Sequence, residues 1–470
     1  MRKYTIALTA GLALAAGCID NTIVTPENSP TVDALTGALT GAGVKTLALG
    51  VLAQDRSAAT AGGYVLFPEI YGRNAYRIDS NEPRYVVETL GGNPDPGSFS
   101  AGGSAFTSPF TAIRAATSLL VALPGAVESQ VTPAQRNATA GLIQTIKALN
   151  YYRVVETRDT LGVPIQAADP AVVAPLSCKA TVLTYIAGQL DSANTSLAAA
   201  GSGKLPFAAP TGFSAYGRDY NKASNLILLN RGLRGKVELY RGLQRPSPVA
   251  GAFGNAITFL TQALGGAAPG AVAPATFQNG AYVTYVAGGT ENTPNPLVDS
   301  KIGVNPKAVA ALQSGDTRAS KIITRSTLAG SGLTTTYTYV GASTANAANL
   351  TLPRAILRDE ELVLLRAQAY FENNQFTEGT LDLNSVRTSY GLTAIAVPAT
   401  LAAARDAVLY EKRYSLFFEG PQRLVDLRAY GLLKAGITPA ELPGDPFNTA
   451  EPIPKAEVDA RNGNITVQCP

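Results

Sequence analysis

The chain has 470 residues, of which 46% are hydrophobic and 15% charged, with a formal net charge of +4 at pH 7. That length is ample for a large core in one large domain or two lobes, and so slight a charge, without a run of Lys or Arg, gives no basic field for a nucleic acid. There is no histidine and no tryptophan; lacking histidine, the chain cannot use Ser-His-Asp or Cys-His nucleophilic catalysis or His-ligated zinc.

Met1-Arg2-Lys3 is a short basic start, Ile6 to Ala16 is an uncharged apolar stretch, and Ala16-Gly17 places small residues just before Cys18. This is the layout of a bacterial lipoprotein signal. Residues 1–17 are then a signal peptide, and Cys18 is the lipidated first residue of the exported protein; the alternative is an ordinary cleaved secretion signal that ends near a cysteine. Residues 18–30, with Asn21, Thr22, Pro26, Asn28 and Pro30, read as a polar lipidated tether, and residues 31–470 as the folded domain. Beyond the leader, the nearest approach to a membrane-spanning run, Ala101 to Val127, is broken by Pro109, Arg114 and Pro124. The lipid is therefore the one membrane attachment expected. If Cys18 is acylated, Cys178 and Cys469 remain as thiols in an oxidising compartment, either joined in one disulfide or left as two free thiols.

Leu35, Leu39, Leu47 and Leu52 predict a helix over about 31–56, interrupted by Gly41 and Gly43. Residues 62–104, rich in Gly, Pro, Asn and Tyr, read as a long irregular insertion, a kind of segment that is usually functional. The clearest helix starts at Thr132-Pro133-Ala134-Gln135, where Thr132 is a natural N-cap, Pro133 suits the first turn and Gln135 can reach back to the cap. Leu142, Ile146 and Leu149 continue its apolar face, and Gly162-Val163-Pro164 closes it. Further helices are predicted over about 178–199 and 222–242. Residues 243–352 form a second insertion in which Ala281 to Val286 and Thr334 to Val340 alternate as exposed strands or hairpins. Helices return at about 354–373, at 380–388, and from the cap Thr400 to the stop at Gly420-Pro421. The fold class expected is mainly α, with paired helices of tetratricopeptide type and no strict period.

Four segments then occur in an order that resembles the SusD/RagB family of outer-membrane nutrient-binding lipoproteins. The first is Ala148-Leu149-Asn150-Tyr151-Tyr152-Arg153-Val154-Val155, leading into Leu161-Gly162-Val163-Pro164-Ile165. The second combines Glu361, Leu365, Arg366, Ala367 and Ala369 with Leu383-Asn384-Ser385-Val386-Arg387 and Gly391-Leu392. The third is Tyr410-Glu411-Lys412-Arg413, Phe418-Glu419-Gly420 and Arg423-Leu424-Val425-Asp426-Leu427-Arg428, and the fourth is Pro452-Ile453-Pro454-Lys455-Ala456-Glu457, with Asn462 and Gln468 beyond it. Two departures stand in the third: Ser415 replaces a common Glu, and Pro421-Gln422 adds a residue before the Arg.

The resemblance implies a SusD-like helical scaffold with irregular and short β insertions, anchored to the cell outer membrane and exposed at the surface. It also implies a non-enzymatic protein without cofactor or metal, which captures an oligosaccharide or other small nutrient and serves as lid to a TonB-dependent (SusC-like) transporter. Ligand candidates are Tyr64, Phe67, Tyr71, Arg73, Asn74, Tyr76 and Tyr85 in the first insertion, and Tyr282, Tyr285 and Asn292 in the second. Aromatic faces stack on sugar rings, while Arg and Asn bind hydroxyls. Glu411, Arg413, Glu419, Arg423, Asp426 and Arg428 are expected to form a structural ion network around one helix end rather than a hydrolytic carboxylate pair, because interleaved Arg keeps carboxylates ionised. The competing classes are a surface glycan hydrolase and a helical-repeat envelope scaffold that binds no nutrient.

Overall fold

Helices build most of the structure, a computed structural model that describes residues 39–99, 102–166, 172–289, 292–467 and 469. The leader, Cys18, the tether and Gln468 lie outside the described residues. Thr40 starts α1 (Gly41–Thr60), its hydroxyl accepting the Gly43 N–H at 3.1 Å, so the two glycines expected to interrupt this helix form its first turn instead. The apolar run that follows forms α2 (Gly62–Tyr71), then β1 (Ala75–Arg77), α3 (Arg84–Val87) and α4 (Ser104–Ala122). Helix α2 corrects the expectation of an irregular 62–104. Every residue from Gly63 to Tyr71 is buried, so no polar face marks the helix in the sequence.

The long helix α5 (Pro133–Arg158) begins with a full capping box: the Thr132 N–H donates to Gln135 Oε1 at 3.0 Å and the Gln135 N–H to Thr132 Oγ1 at 3.3 Å. Strands β2 (Val163–Pro164) and β3 (Leu176–Ser177) pair antiparallel before α6 (Lys179–Ala200), α7 (Ala223–Gly242) and α8 (Ala252–Ala263). Then come β4 (Gly280–Val283), β5 (Ile302–Val304), α9 (Pro306–Ala310), β6 (Ile322–Gly330), β7 (Leu333–Tyr339) and β8 (Arg354–Arg358). The chain ends in α10 (Asp359–Glu372), α11 (Phe376–Ser389), α12 (Leu401–Ser415), α13 (Gln422–Ala429) and α14 (Lys455–Ala460).

Consecutive helices α4 to α8 pack side by side, and α10 joins this body by packing on α8, α11 and α12. Their facing side chains, among them Leu142, Ile146, Leu183, Leu190, Leu233, Leu260, Leu362 and Leu365, form one continuous core. The crossing of α5 and α6 depends on Gly141. A Cβ there would stand 2.4 Å from Leu197 Cγ and 3.0 Å from the Ala193 carbonyl, so nothing larger than hydrogen fits. Ser104–Gly125 is long and apolar enough to cross a membrane by length and composition alone; here its Phe106, Ile113, Ala116 and Leu119 belong to the helical core.

A second core gathers around α2, β1, β5 and β7, with Phe67, Ile70, Tyr71, Tyr76, Ile302, Val304, Phe417, Phe418 and Leu424. Strands β1 and β5 are antiparallel, Arg77 lying opposite Ile302. Thr335 and Thr338 on β7 donate to the carbonyls of Val304 and Ile302 at 2.6 and 2.9 Å, so β7 rests on β5 through its side chains. Strands β6 and β7 form a hairpin, whereas β4 pairs with β8 and is buried along its whole length. The first alternating run is thus interior rather than exposed. Cys178, the residue before α6, is bonded to Cys469, with Cα atoms 5.6 Å apart.

Candidate functional site

At the outer edge of the second core, β1 ends at Arg77 and the turn after it carries Asp79. Asp79 accepts the Asn81 N–H at 3.1 Å, closing a local turn that delivers the chain into α3. Across the β1–β5 pair, Asp299 accepts Arg77 Nε at 3.0 Å and Asp79 accepts Lys301 Nζ at 2.5 Å. The Lys301 ammonium lowers the Asp79 pKa. With its guanidinium held this way, Arg77 lies 3.5 Å from the centre of the Tyr85 ring, a cation–π contact that fixes the tyrosine.

Tyr85 is the middle of an aromatic row. Phe67 stacks behind it at 6.0 Å and Phe99 meets it in front at 4.6 Å, tilted by 52°. Phe99 is 40% exposed and Val87, on the same short helix as Tyr85, 45%. A Phe ring that faces water departs from the burial common for that residue. The loop that presents it is held firmly: Gly97 donates to Asp95 Oδ1 at 2.7 Å, Lys455 donates its N–H to the Pro96 carbonyl at 2.9 Å, and Asn448 donates to the Gly92 carbonyl at 2.8 Å. Over the Phe99 ring, 4.6 Å away, sits the Arg84 guanidinium. It is bidentate to Glu82 at 2.7 and 2.6 Å, with its side chain 46% exposed.

The site therefore combines a partly exposed aromatic ring with a cation and a carboxylate that both still reach water. Such a surface offers a stacking contact and hydrogen-bonding groups suited to a ring that carries hydroxyls. It is poorly suited to general acid catalysis, because hydrogen bonding to Arg84 lowers the Glu82 pKa and keeps the carboxylate ionised. Burial raises Glu69 to about 7, Asp359 to about 6 and Glu451 to about 8, but all three carboxyls are buried in the interior. Among the described residues, no three His, Cys, Asp or Glu side chains are grouped to hold a metal ion.

The structure places most of the other ligand candidates inside. Tyr64 donates to Glu156 at 2.8 Å, Tyr76 to Glu441 at 2.6 Å, and Tyr282 to the Gln278 carbonyl at 2.7 Å with its ring 4.3 Å from Tyr216. Arg73 pairs with Asp445 at 2.8 Å and Asn74 donates to Glu69 at 2.7 Å. Phe67, Tyr71 and Tyr285 are buried as well, leaving no free ring face for a ligand. Asn292 is exposed and caps a turn by accepting the Gly288 N–H. Of these candidates, Tyr85 reaches the exposed platform, backed by Phe67. Phe99 and Arg84 were missed; a lone aromatic in a Gly/Ser turn, Pro96-Gly97-Ser98-Phe99, was the signal available for the first.

The six charged residues expected to pair around one helix end pair outward instead. Glu411 binds Arg318 at 2.7 Å and Arg387 at 2.8 Å, Glu419 binds Arg358 at 2.8 Å, Asp426 binds Lys412 at 2.8 Å, and Arg428 binds Asp159 at 3.2 Å. Arg413 donates to Asn74 at 2.8 Å, and no described residue accepts a hydrogen bond from Arg423 or pairs with it. Successive helical positions point about 100° apart, so their partners come from different neighbours.

No family model and no curated protein matches the sequence. Solved structures do match. A SusD homolog from Bacteroides thetaiotaomicron superimposes with a TM-score of 0.66 at 14% identity, over 92% of this chain and 98% of that one. A SusD superfamily protein from Bacteroides fragilis gives 0.67 at 15% identity, over 90% and 97%. The chain has the SusD fold. A laminarin-binding SusD-like protein shares that SusD fold at a TM-score of 0.62 and 17% identity, covering 88% of this chain and 97% of its own.

Proposed function

We propose that this SusD-fold protein is a non-enzymatic carbohydrate-binding protein that captures an oligosaccharide on the platform of Tyr85, Phe99 and Arg84. The observation that carries the reading is the exposed Phe99 ring, held beside the Arg84–Glu82 pair on a rigid loop. The laminarin-binding relative of the same fold supports a glycan as ligand. Titration of the protein with laminarin oligosaccharides and other glycan fragments tests it: Phe99→Ala weakens binding by about tenfold or more, the loss of about 1.4 kcal/mol of contact, and Arg84→Ala weakens it less. Unchanged affinity in both variants would move the site elsewhere, and new reducing ends released from the glycan would make the protein a hydrolase.

The wider role rests on the signal-like start of the chain and on the family resemblance. Residues 1–17 act as signal peptide, Cys18 carries the acyl chains, and residues 18–30 tether the SusD-like domain of residues 31–470 to the outer membrane, where it passes ligand to a TonB-dependent transporter. Cells fed a labelled fatty acid incorporate it into this protein, and Cys18→Ser abolishes the label. Label retained in the variant would refute the anchor.

A further inference from the structure

The chain carries a formal net charge of +4, yet the ground around the Phe99 ring is acidic. Arg84, the cation that lies over the ring, is gripped along one edge by both oxygens of Glu82. Its charge is therefore answered before any ligand arrives. Glu88 and Asp95 stand near enough to act on the same guanidinium. Asp95 belongs to the turn that presents Phe99: one carboxylate oxygen accepts the Gly97 N–H at 2.7 Å and the backbone carbonyl accepts the Ser98 N–H at 2.9 Å. The residue is exposed, and among the described residues no Lys or Arg forms an ion pair with it.

The cations elsewhere along the aromatic row do not redress this. Beside the Tyr85 ring, Arg77 is paired with Asp299 and Lys301 with Asp79. Lys455, whose backbone N–H anchors the Pro96 carbonyl, is paired with Asp459 at 2.8 Å. Arg77, Arg84, Lys301 and Lys455 thus each have a carboxylate of their own, and Asp95 is left over. An acidic group brought to Phe99 would find none of these four cations unmatched. It would also meet Asp95, which acts on the guanidinium over Phe99 and so acts on any charge carried by a ring stacked there.

We propose that Asp95 sets the charge class of the glycan: the platform takes uncharged chains and turns away those bearing sulfate or uronate groups, a filter that rests on Phe99 being the residue on which the glycan stacks. Two like charges about 7 Å apart in a water-like medium cost about threefold in affinity, and more where the stacked ring excludes water. Salt screens the repulsion over about 8 Å at physiological strength, so the discrimination is strongest in dilute buffer. Asp95 acts by repelling the wrong chain rather than by holding the right one.

The test is titration of the full protein with laminarin oligosaccharides and with the same oligosaccharides after partial sulfation, in dilute and in concentrated sodium chloride. The wild type should bind the unsulfated form at least about threefold more tightly in dilute salt, and the gap should narrow in concentrated salt. Sulfation also removes hydroxyls, but that loss ignores both salt and residue 95. Asp95→Asn keeps a side-chain oxygen for the Gly97 N–H while losing the charge, and should narrow the gap about threefold; Asp95→Lys should narrow it further. Suppose Phe99→Ala weakens binding of the unsulfated form. A gap that neither salt nor Asp95→Asn alters, or a sulfated form that the wild type binds as tightly as the unsulfated one, then overturns the charge filter and leaves the platform in place. Unsulfated oligosaccharide that does not bind, or that Phe99→Ala binds equally well, defeats the platform itself and the filter with it.

Discussion

Replacing Arg158 by Met is expected to lower stability by about 3–5 kcal/mol at pH 9, where Glu451 is ionised, the cost of leaving one member of a buried ion pair without its partner. Arg158 ends α5, and its guanidinium makes four links at once: Glu451 at 2.5 Å, the Gly102 carbonyl at 2.8 Å, Thr157 Oγ1 at 2.9 Å and the Phe106 ring face. Neither side chain of the pair is exposed. Glu451 already has its pKa raised to about 8 by burial, against a lowering by Arg158. Removing the arginine removes that lowering. A folded pKa above the unfolded value means that the folded state gains by holding the proton. The group's contribution is then full below the usual carboxylate range and is lost as pH rises through the folded pKa. The variant's deficit should therefore be smaller at pH 5 than at pH 9, and Glu451→Gln added to it should restore part of the loss. Denaturant titrations at the two pH values check this; a deficit that ignores pH, or a double variant no better than the single, would refute it.

Replacing Cys178 and Cys469 together by Ser is expected to cost about 2–5 kcal/mol, the range found for native disulfides. The bond closes 291 residues of sequence, nearly two thirds of the chain, and so strongly restricts the unfolded ensemble. It also fixes the last residues, where Ile465 packs on the helical core and Val467 fills the space beside Gly162. Guanidinium unfolding measures the first effect and limited proteolysis of the tail the second. A Ser/Ser protein with the wild-type midpoint and an uncut tail would mean that packing alone holds the terminus.

What could be read from the sequence depended on local signals. Thr132 and Thr400 announced their helices because caps act within a few residues, and both accept the N3 amide in the structure. Helix α2 gave no such signal, since a helix buried on all sides loses its period. Helix α8 was hidden in an Ala- and Gly-rich stretch where Ala256, Leu260 and Ala263 carry the contact. Composition drew attention to the tyrosines of residues 62–104, but which of them stay outside is decided by partners far away, such as Glu156 for Tyr64 and Glu441 for Tyr76. The charged third motif behaves likewise: Glu411 meets Arg318 across 93 residues, a pairing that no spacing rule reports.

Interior contacts also tie early and late segments of the fold together. Arg73 is held by Asp445, Tyr76 by Glu441 and Arg158 by Glu451. Each joins an early segment to residues 441–451, which therefore work as a latch. Without that stretch two buried arginines and a buried phenol would be left without these partners, so its docking is as much a condition of the folded state as the packing of the helices.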